Sequence, residues 1–331
     1  MQVAVIGAGS WGTTMAAQCA INGPTILWAR RPEIAKEISE DRTNRAYLPD
    51  FDLPRGLEAT SDLRDAVGRA DVLVMAVPSQ GFRETLEQAA PFVRPWVPVV
   101  SLTKGLEQGS MLRMTQIIEE VIPGHPAGVL TGPNLAKEII DGQAAASVIG
   151  MQDLVVAEAL QPVFAGGLFR VYTNHDVIGC ELAGALKNVV AIATGMAEAL
   201  TVGDNTRAMV VTRGLAELTR LGLAMGGEAA TFAGLAGVGD LLATCMSRHS
   251  RNRRVGEQLG RGRTIDEITS EMNMVAEGVN TCAVVIELAR RYDLEMPIAE
   301  EMYAVIYQGR SAAEAYRGLR RRKARHERDS G

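Results

Sequence analysis

The chain opens with Val3-Ala4-Val5-Ile6-Gly7-Ala8-Gly9-Ser10-Trp11-Gly12, and the residues after it, Thr13 to Ile21, carry the apolar spacing of a helix. Four strand-type residues therefore run into Gly-x-Gly-x-x-Gly and then into a helix. Each glycine has its own task in that order. Gly7 permits a tight turn, Gly9 lets backbone approach a pyrophosphate, and Gly12 lets helix and strand pack closely while the helix N-terminus faces negative charge. The glycines alone could be a mere turn. The strand before them and the helix after them point to a dinucleotide site beginning within a few residues of the N-terminus.

Beyond this stretch, apolar runs of strand length recur at Thr25–Ala29, Asp71–Pro78, Val97–Thr103 and Gly128–Thr131, with helical patterns such as Met111–Ile122 between them. Continuous apolar strands are the mark of a parallel sheet covered on both faces. After about Cys180 helical patterns follow one another without a convincing strand. Thr264–Glu267 and Ser311–Glu314 have the form of capping boxes, and Glu277–Tyr292 and Ile298–Tyr307 keep helical spacing. The expected fold is an N-terminal Rossmann-type doubly wound α/β sheet (residues 1–180), a C-terminal all-helical domain (181–316) and a mobile basic tail (317–331). No Pro/Gly-rich linker separates the domains, so a tight shared cleft is expected.

The totals narrow the function classes. At 331 residues the chain calls for two cores. With 47% hydrophobic and 22% charged residues it has globular composition, and a net charge of −5 gives no reason to expect nucleic acid or an anionic membrane as partner. Seven Lys/Arg fall between Arg317 and Asp329, so the body is more acidic than the total indicates. Cys19, Cys180, Cys245 and Cys282 form no CxxC pair; reduced thiols in a cytoplasmic enzyme are expected, with neither a disulfide framework nor a metal site. Met1-Gln2 enters a strand directly, with no basic region before it, so no secretory signal is expected. Leu182–Leu200 is interrupted by Lys187, Asn188 and Glu198 and is expected as a core helix, not a membrane span.

The second strand ends in Ala29-Arg30-Arg31, where an NAD enzyme offers an acid to the ribose. Arginine suits a 2′-phosphate, which favours NADP(H) with NAD(H) as the alternative; the bland reading is a loop with two solvated arginines. Loops expected at the carboxyl edge of the sheet carry Val77-Pro78-Ser79, Ser101 to Gly105 with Lys104, and Thr131 to Asn134. Lys187 lies within an apolar helix, with Gly184, Ala191, Thr194 and Glu198 on roughly its face. It either snorkels to an edge or lines a cleft, where desolvation and a second cation lower its pKa. Gly237-Val238-Gly239-Asp240 follows. Then Ser250-Arg251-Asn252 opens a helix with Ser250 as N-cap, and a helix start carrying arginine and asparagine is an anion site.

At this point the residues resemble a known family. Gly7–Thr13, Ser101–Glu107 and Gly132–Glu138, then Glu181–Gly195, Gly234–Cys245, Ser250–Arg254 and Val275–Thr281, stand in the order and spacing of bacterial NAD(P)-dependent glycerol-3-phosphate dehydrogenases of the lipid-synthesis type. The resemblance covers nearly the whole chain. It implies interconversion of sn-glycerol 3-phosphate and dihydroxyacetone phosphate by hydride transfer, a cytoplasmic enzyme and a homodimer. It implies Ser10, Trp11, Arg30, Arg31, Lys104, Ala136, Arg251, Val275 and Glu277 at the nucleotide. Lys104, Gly132, Asn134, Lys187, Asp240, Ser250, Arg251 and Asn252 are implied at the substrate, with Lys187 as general acid/base. Position 134 is usually Ser or Thr in the family, so the contact made by Asn134 stays open. Two rivals remain at this stage: another β-hydroxyacid-type reductase, such as a ketopantoate or hydroxyisobutyrate enzyme, and a catalytically silent NADP-binding sensor.

Overall fold

The computed structural model describes residues 1–272 and 276–321. It divides into two units, Met1–Thr103 with Arg113–Val177, and Lys104–Leu112 with Ile178 onward, each with its own hydrophobic core. This division differs from the expected 180/181 boundary in two ways. It falls at Val177, where a long helix begins, and it takes Lys104–Leu112 into the helical unit. The reason is visible in Leu106, which is fully buried in the helical core.

The first unit holds one sheet in the order β3-β2-β1-β4-β5-β6-β7-β8. Its strands are β1 (Val3–Ile6), β2 (Thr25–Trp28), β3 (Leu57–Thr60), β4 (Val72–Met75), β5 (Val99–Ser101), β6 (Ala127–Thr131), β7 (Ala145–Met151) and β8 (Phe169–Asn174). All neighbours pair parallel except β6 and β7, which are antiparallel. The strands expected from continuous apolar runs, β1, β2, β4, β5 and β6, are five of the six inner ones, and most of their residues are wholly buried. The three strands that sequence did not single out have weaker signals. β3 and β8 are edges; β3 buries only Leu57 fully, and β8 alternates buried and exposed residues. β7 follows β6 by a reversal rather than a crossover, so the sheet is mixed rather than wholly parallel.

The chain runs from β1 outward through β2 and β3, then returns to β4 on the other side of β1. That reversal leaves a crevice at the carboxyl ends of β1 and β4, where doubly wound sheets bind ligands. Helices α1 (Ser10–Asn22), α2 (Pro32–Asp41), α3 (Met114–Val121) and α4 (Leu154–Phe164) belong to this unit. The expected Met111–Ile122 helix begins only at α3, because Met111 takes a left-handed φ of 61° and falls outside the helix.

The second unit is built on α5 (Val177–Ala199), α6 (Asp204–Ala224), α7 (Asp240–Met246), α8 (Arg251–Gly260), α9 (Glu277–Arg291), α10 (Pro297–Tyr307) and α11 (Ala312–Arg321). By length and composition Val177–Ala199 and Ala229–Met246 could each cross a membrane, but α5 is 94% buried in protein and is a core helix, as expected. α8 crosses α5 at backbone contact: a Cβ on Gly195 would lie 2.0 Å from the Arg253 carbonyl oxygen, and one on Gly256 2.0 Å from that of Ile192. Thr264 and Glu267 form the expected capping box, as do Ser311 and Glu314. Arg317–Arg321 continue α11 instead of opening a loose tail, and residues 322–331 lie outside the described residues. All four cysteines are free and buried, and burial pushes the Cys19 thiol up to about 12 and that of Cys245 to about 11.

Candidate active site

In the first unit the glycine turn has the form its sequence dictates. Gly7 has φ 119°, and a Cβ there would sit 2.7 Å from the carbonyl oxygen of Ala76, just past β4. A Cβ on Gly12 would sit 2.0 Å from the Gly7 carbonyl oxygen, so helix and turn meet only because residue 12 is glycine. A Cβ on Gly9 would meet nothing within 4 Å, leaving its backbone open to a ligand. α1 starts at Ser10 with Gly9 as N-cap and no side-chain cap, and the buried Trp11 Nε1 has no hydrogen-bond partner among the described residues. An uncapped helix start behind an open glycine fits a pyrophosphate.

Arg30 and Arg31 are exposed just past β2. Arg31 lies 3.8 Å from Glu33, 5.8 Å from the Tyr47 ring centroid, and donates to the Tyr47 hydroxyl at 3.4 Å. The Ala136 carbonyl accepts the Thr14 hydroxyl at 3.3 Å, which ties this residue to α1. After β6, Gly132 takes φ 137°, and Asn134 Oδ1 accepts the Ser147 hydroxyl at 2.5 Å. Asn134 Nδ2 is buried without a partner among the described residues, a donor free for a ligand oxygen.

The second unit gathers charge. Asp240, 1% exposed, is the first residue of α7, reached through a wide π-helical turn at Leu235–Gly239. Its Oδ2 lies 2.7 Å from Lys104 Nζ and its Oδ1 2.8 Å from Nζ of the buried Lys187. Lys187 Nζ also donates to Thr244 Oγ1 at 2.5 Å, one turn along α7 from Asp240. Two ammonium groups share one carboxylate, a concentration of positive charge that would favour a developing anion beside it. Burial pushes the Lys104 ammonium down to about 8, Lys187 pushes it the same way, and Asp240 opposes both.

An amide chain frames this cluster. Asn188 Nδ2 donates to the Lys104 carbonyl at 3.1 Å, Asn252 Nδ2 donates to Asn188 Oδ1 at 2.9 Å, and the Gly278 N–H donates to Asn252 Oδ1 at 3.0 Å. Ser250 caps α8 as expected, accepting the Arg253 N–H at 3.2 Å. Glu277, in the first turn of α9, acts electrostatically on Arg251. Val275 lies outside the described residues. Lys104, Lys187, Asp240 and Asn252 thus come together as a set. Thr244 and Asn188 were not singled out from sequence, although i, i+4 spacing puts Thr244 on the Asp240 face of α7.

The pattern of the NAD-dependent glycerol-3-phosphate dehydrogenase N-terminus matches residues 2–157, and that of the C-terminus matches residues 176–317. The chain belongs to this family. A glycerol-3-phosphate dehydrogenase (NAD(P)+) of Sphingopyxis alaskensis is 59% identical over 96% of both chains. One from Mycobacterium avium is 56% identical over 96% of this chain and 94% of its own. Among solved structures, the glycerol-3-phosphate dehydrogenase of Coxiella burnetii superposes with a TM-score of 0.93 at 34% identity, covering 97% of this chain and 99% of that one. Membership settles the family; each residue's part in it has to come from the geometry above.

Proposed function

We propose that this dehydrogenase reduces dihydroxyacetone phosphate to sn-glycerol 3-phosphate, and catalyses the reverse, using NADPH in preference to NADH. The single observation that carries the reading is the buried Lys104–Asp240–Lys187 cluster. A bound nicotinamide nucleotide supplies the hydride. As the ketone becomes an alcohol its oxygen gathers negative charge, and Lys187 donates the proton while Lys104 stabilises the charge. Asp240 and Thr244 fix the Lys187 ammonium, so the donor is aimed before substrate arrives. Ser250, Arg251 and Asn252 at the start of α8 hold the substrate phosphate, with Gly132 and Asn134 contacting substrate from their loop. Ser10, Trp11, Gly7, Gly9 and Gly12 take the pyrophosphate side of the nucleotide, Arg30 and Arg31 its 2′-phosphate, and Lys104, Ala136, Arg251, Val275 and Glu277 complete its site.

The enzyme works in the cytoplasm as a homodimer, and its product supplies phospholipid synthesis. The test is oxidation of NADPH followed at 340 nm with dihydroxyacetone phosphate or unphosphorylated dihydroxyacetone. Rapid turnover with the phosphate ester alone is expected; equal rates for the two ketones, or none for either, would overturn the reading. The same assay should show the rate of reduction falling as pH rises through about 8, where Lys104 loses its charge.

A further inference from the structure

The connection from Arg42 to Gly56, between α2 and β3, contains only an isolated bridge between Asn44 and Leu48. Long connections of this kind in compact domains usually serve function. Near its start Asn44 is fully buried. Its Nδ2 donates to the Ala8 carbonyl at 3.0 Å and to the Thr13 hydroxyl at 2.9 Å. Ala8 stands between Gly7 and Gly9, and Thr13 lies in the first turns of α1.

The backbone around Asn44 is tied down, while its Oδ1 is buried without a partner among the described residues. Its carbonyl accepts the N–H of Tyr47 at 3.1 Å and of Leu48 at 2.7 Å. Arg42 donates to the Leu57 carbonyl at 2.6 Å. The Glu37 carboxylate takes the Thr43 hydroxyl at 2.9 Å and the Arg45 N–H at 2.8 Å. A trans peptide is planar, with its C=O and N–H pointing opposite ways. Drawing the Ala8 oxygen onto Asn44 therefore turns the Gly9 N–H to the other side. Gly9, on one side of that peptide, resists its rotation least of all residues, so the turn needs a clamp from outside itself.

We propose that Asn44 is the positioning residue of the dinucleotide turn, holding the Ala8–Gly9 peptide so that the Gly9 N–H meets the cofactor's pyrophosphate. This rests on the nucleotide reading of that turn. Both coenzymes share the pyrophosphate, so Asn44 governs their affinity without distinguishing them.

The test is Asn44→Asp in the full chain, which keeps the shape but sets an acceptor against the Ala8 carbonyl. Dissociation constants for NADPH and NADH are measured by tryptophan fluorescence, beside kcat, KM and the melting temperature. Both constants should rise by the same factor, about tenfold or more, the loss of one well-placed polar contact. The turnover number at saturating cofactor should stay within about threefold. Asn44→Ala, which removes the donor without adding charge, should show the same pattern and decides the matter if the aspartate variant does not fold. Unchanged constants in a folded variant, or a changed NADPH-to-NADH ratio, overturn the proposal. Failure of the unaltered enzyme to bind either coenzyme would instead sink the nucleotide reading beneath it.

Discussion

The two candidate sites, one in each unit and each proposed to meet a charged ligand, are built in opposite ways. The glycine turn of the first unit works by leaving side chains out: open space at Gly9 and contact distance at Gly12 expose main-chain dipoles. The cluster of the second unit works by burying side chains with their charge, two lysines on one aspartate. A turn of backbone is local, built from six consecutive residues, and is tuned by shape. The charged cluster is assembled from positions 104, 187, 240 and 244, and it is tuned by the balance between burial and pairing. The first should break through sterics and the second through charge.

The largest effect should follow from Asp240→Asn. It removes the only charge shared by Lys104 and Lys187 in the network described and leaves two ammonium groups facing a neutral amide. Breaking such a buried pair costs about 3–5 kcal/mol, seen as a lower denaturant midpoint, and turnover should fall with it. A stable and active variant would mean that the cluster is held by something other than charge.

A middle-sized effect is expected at the nucleotide end. Replacing Arg30 and Arg31 together with Ala should weaken NADPH more than NADH by about 1–3 kcal/mol, the scale of lost charged hydrogen bonds. Equal weakening would mean that these arginines do not distinguish the 2′-phosphate, in contrast to the equal weakening expected at Asn44.

The smallest effect concerns pH and a second buried charge in the helical unit. Glu217, on α6, accepts the N–H groups of Ile298 and Ala299 at the start of α10 at 2.8 and 3.2 Å. Burial pushes its carboxyl up to about 7 against these bonds and the charge of Arg220, while Glu300 pushes the same way as burial. The folded state therefore holds this proton more tightly than the unfolded chain does. Its contribution to stability is present below the ordinary carboxyl value of 4.5 and is lost as pH rises towards about 7. Lys104 has the opposite slope: its folded-state value is lowered, so the unfolded chain binds more protons, and stability is regained as pH rises from about 8 towards 10.5. Melting temperatures across pH 4 to 10 should show Glu217→Gln losing the acidic part of this dependence and Lys104→Met the alkaline part, each by a few degrees. Identical pH curves for the variants and the unaltered protein would remove these two groups from the balance.

What could be read from sequence follows the same division. The glycine turn, five of the six inner strands, the Ser250 cap and the capping boxes are local patterns, and the structure has them where the spacing put them. Edge strands β3 and β8 escaped because partial burial blurs an apolar run, and β7 because Ser147 and Gly150 interrupt its own. Lys104 and Lys187 stood out through their motifs, but their sharing of Asp240 could not be read from residues 136 and 53 positions away. The grouping of Lys104–Leu112 with the helices depends on where Leu106 is buried, which no local pattern contains. Asn44 carried no signal at all: it is one asparagine in a polar loop, and only the folded chain brings it under Ala8.

The central claim is that Lys187 delivers the proton. Lys187→Met keeps length and apolar character, so the protein should fold and bind NADPH with near-normal affinity in a fluorescence titration. Its turnover should fall by about 10²–10⁴-fold, the usual span of acid–base catalysis. A folded variant that binds NADPH and keeps near-native turnover would contradict the account and pass the proton to Lys104, whose ammonium already sits near 8.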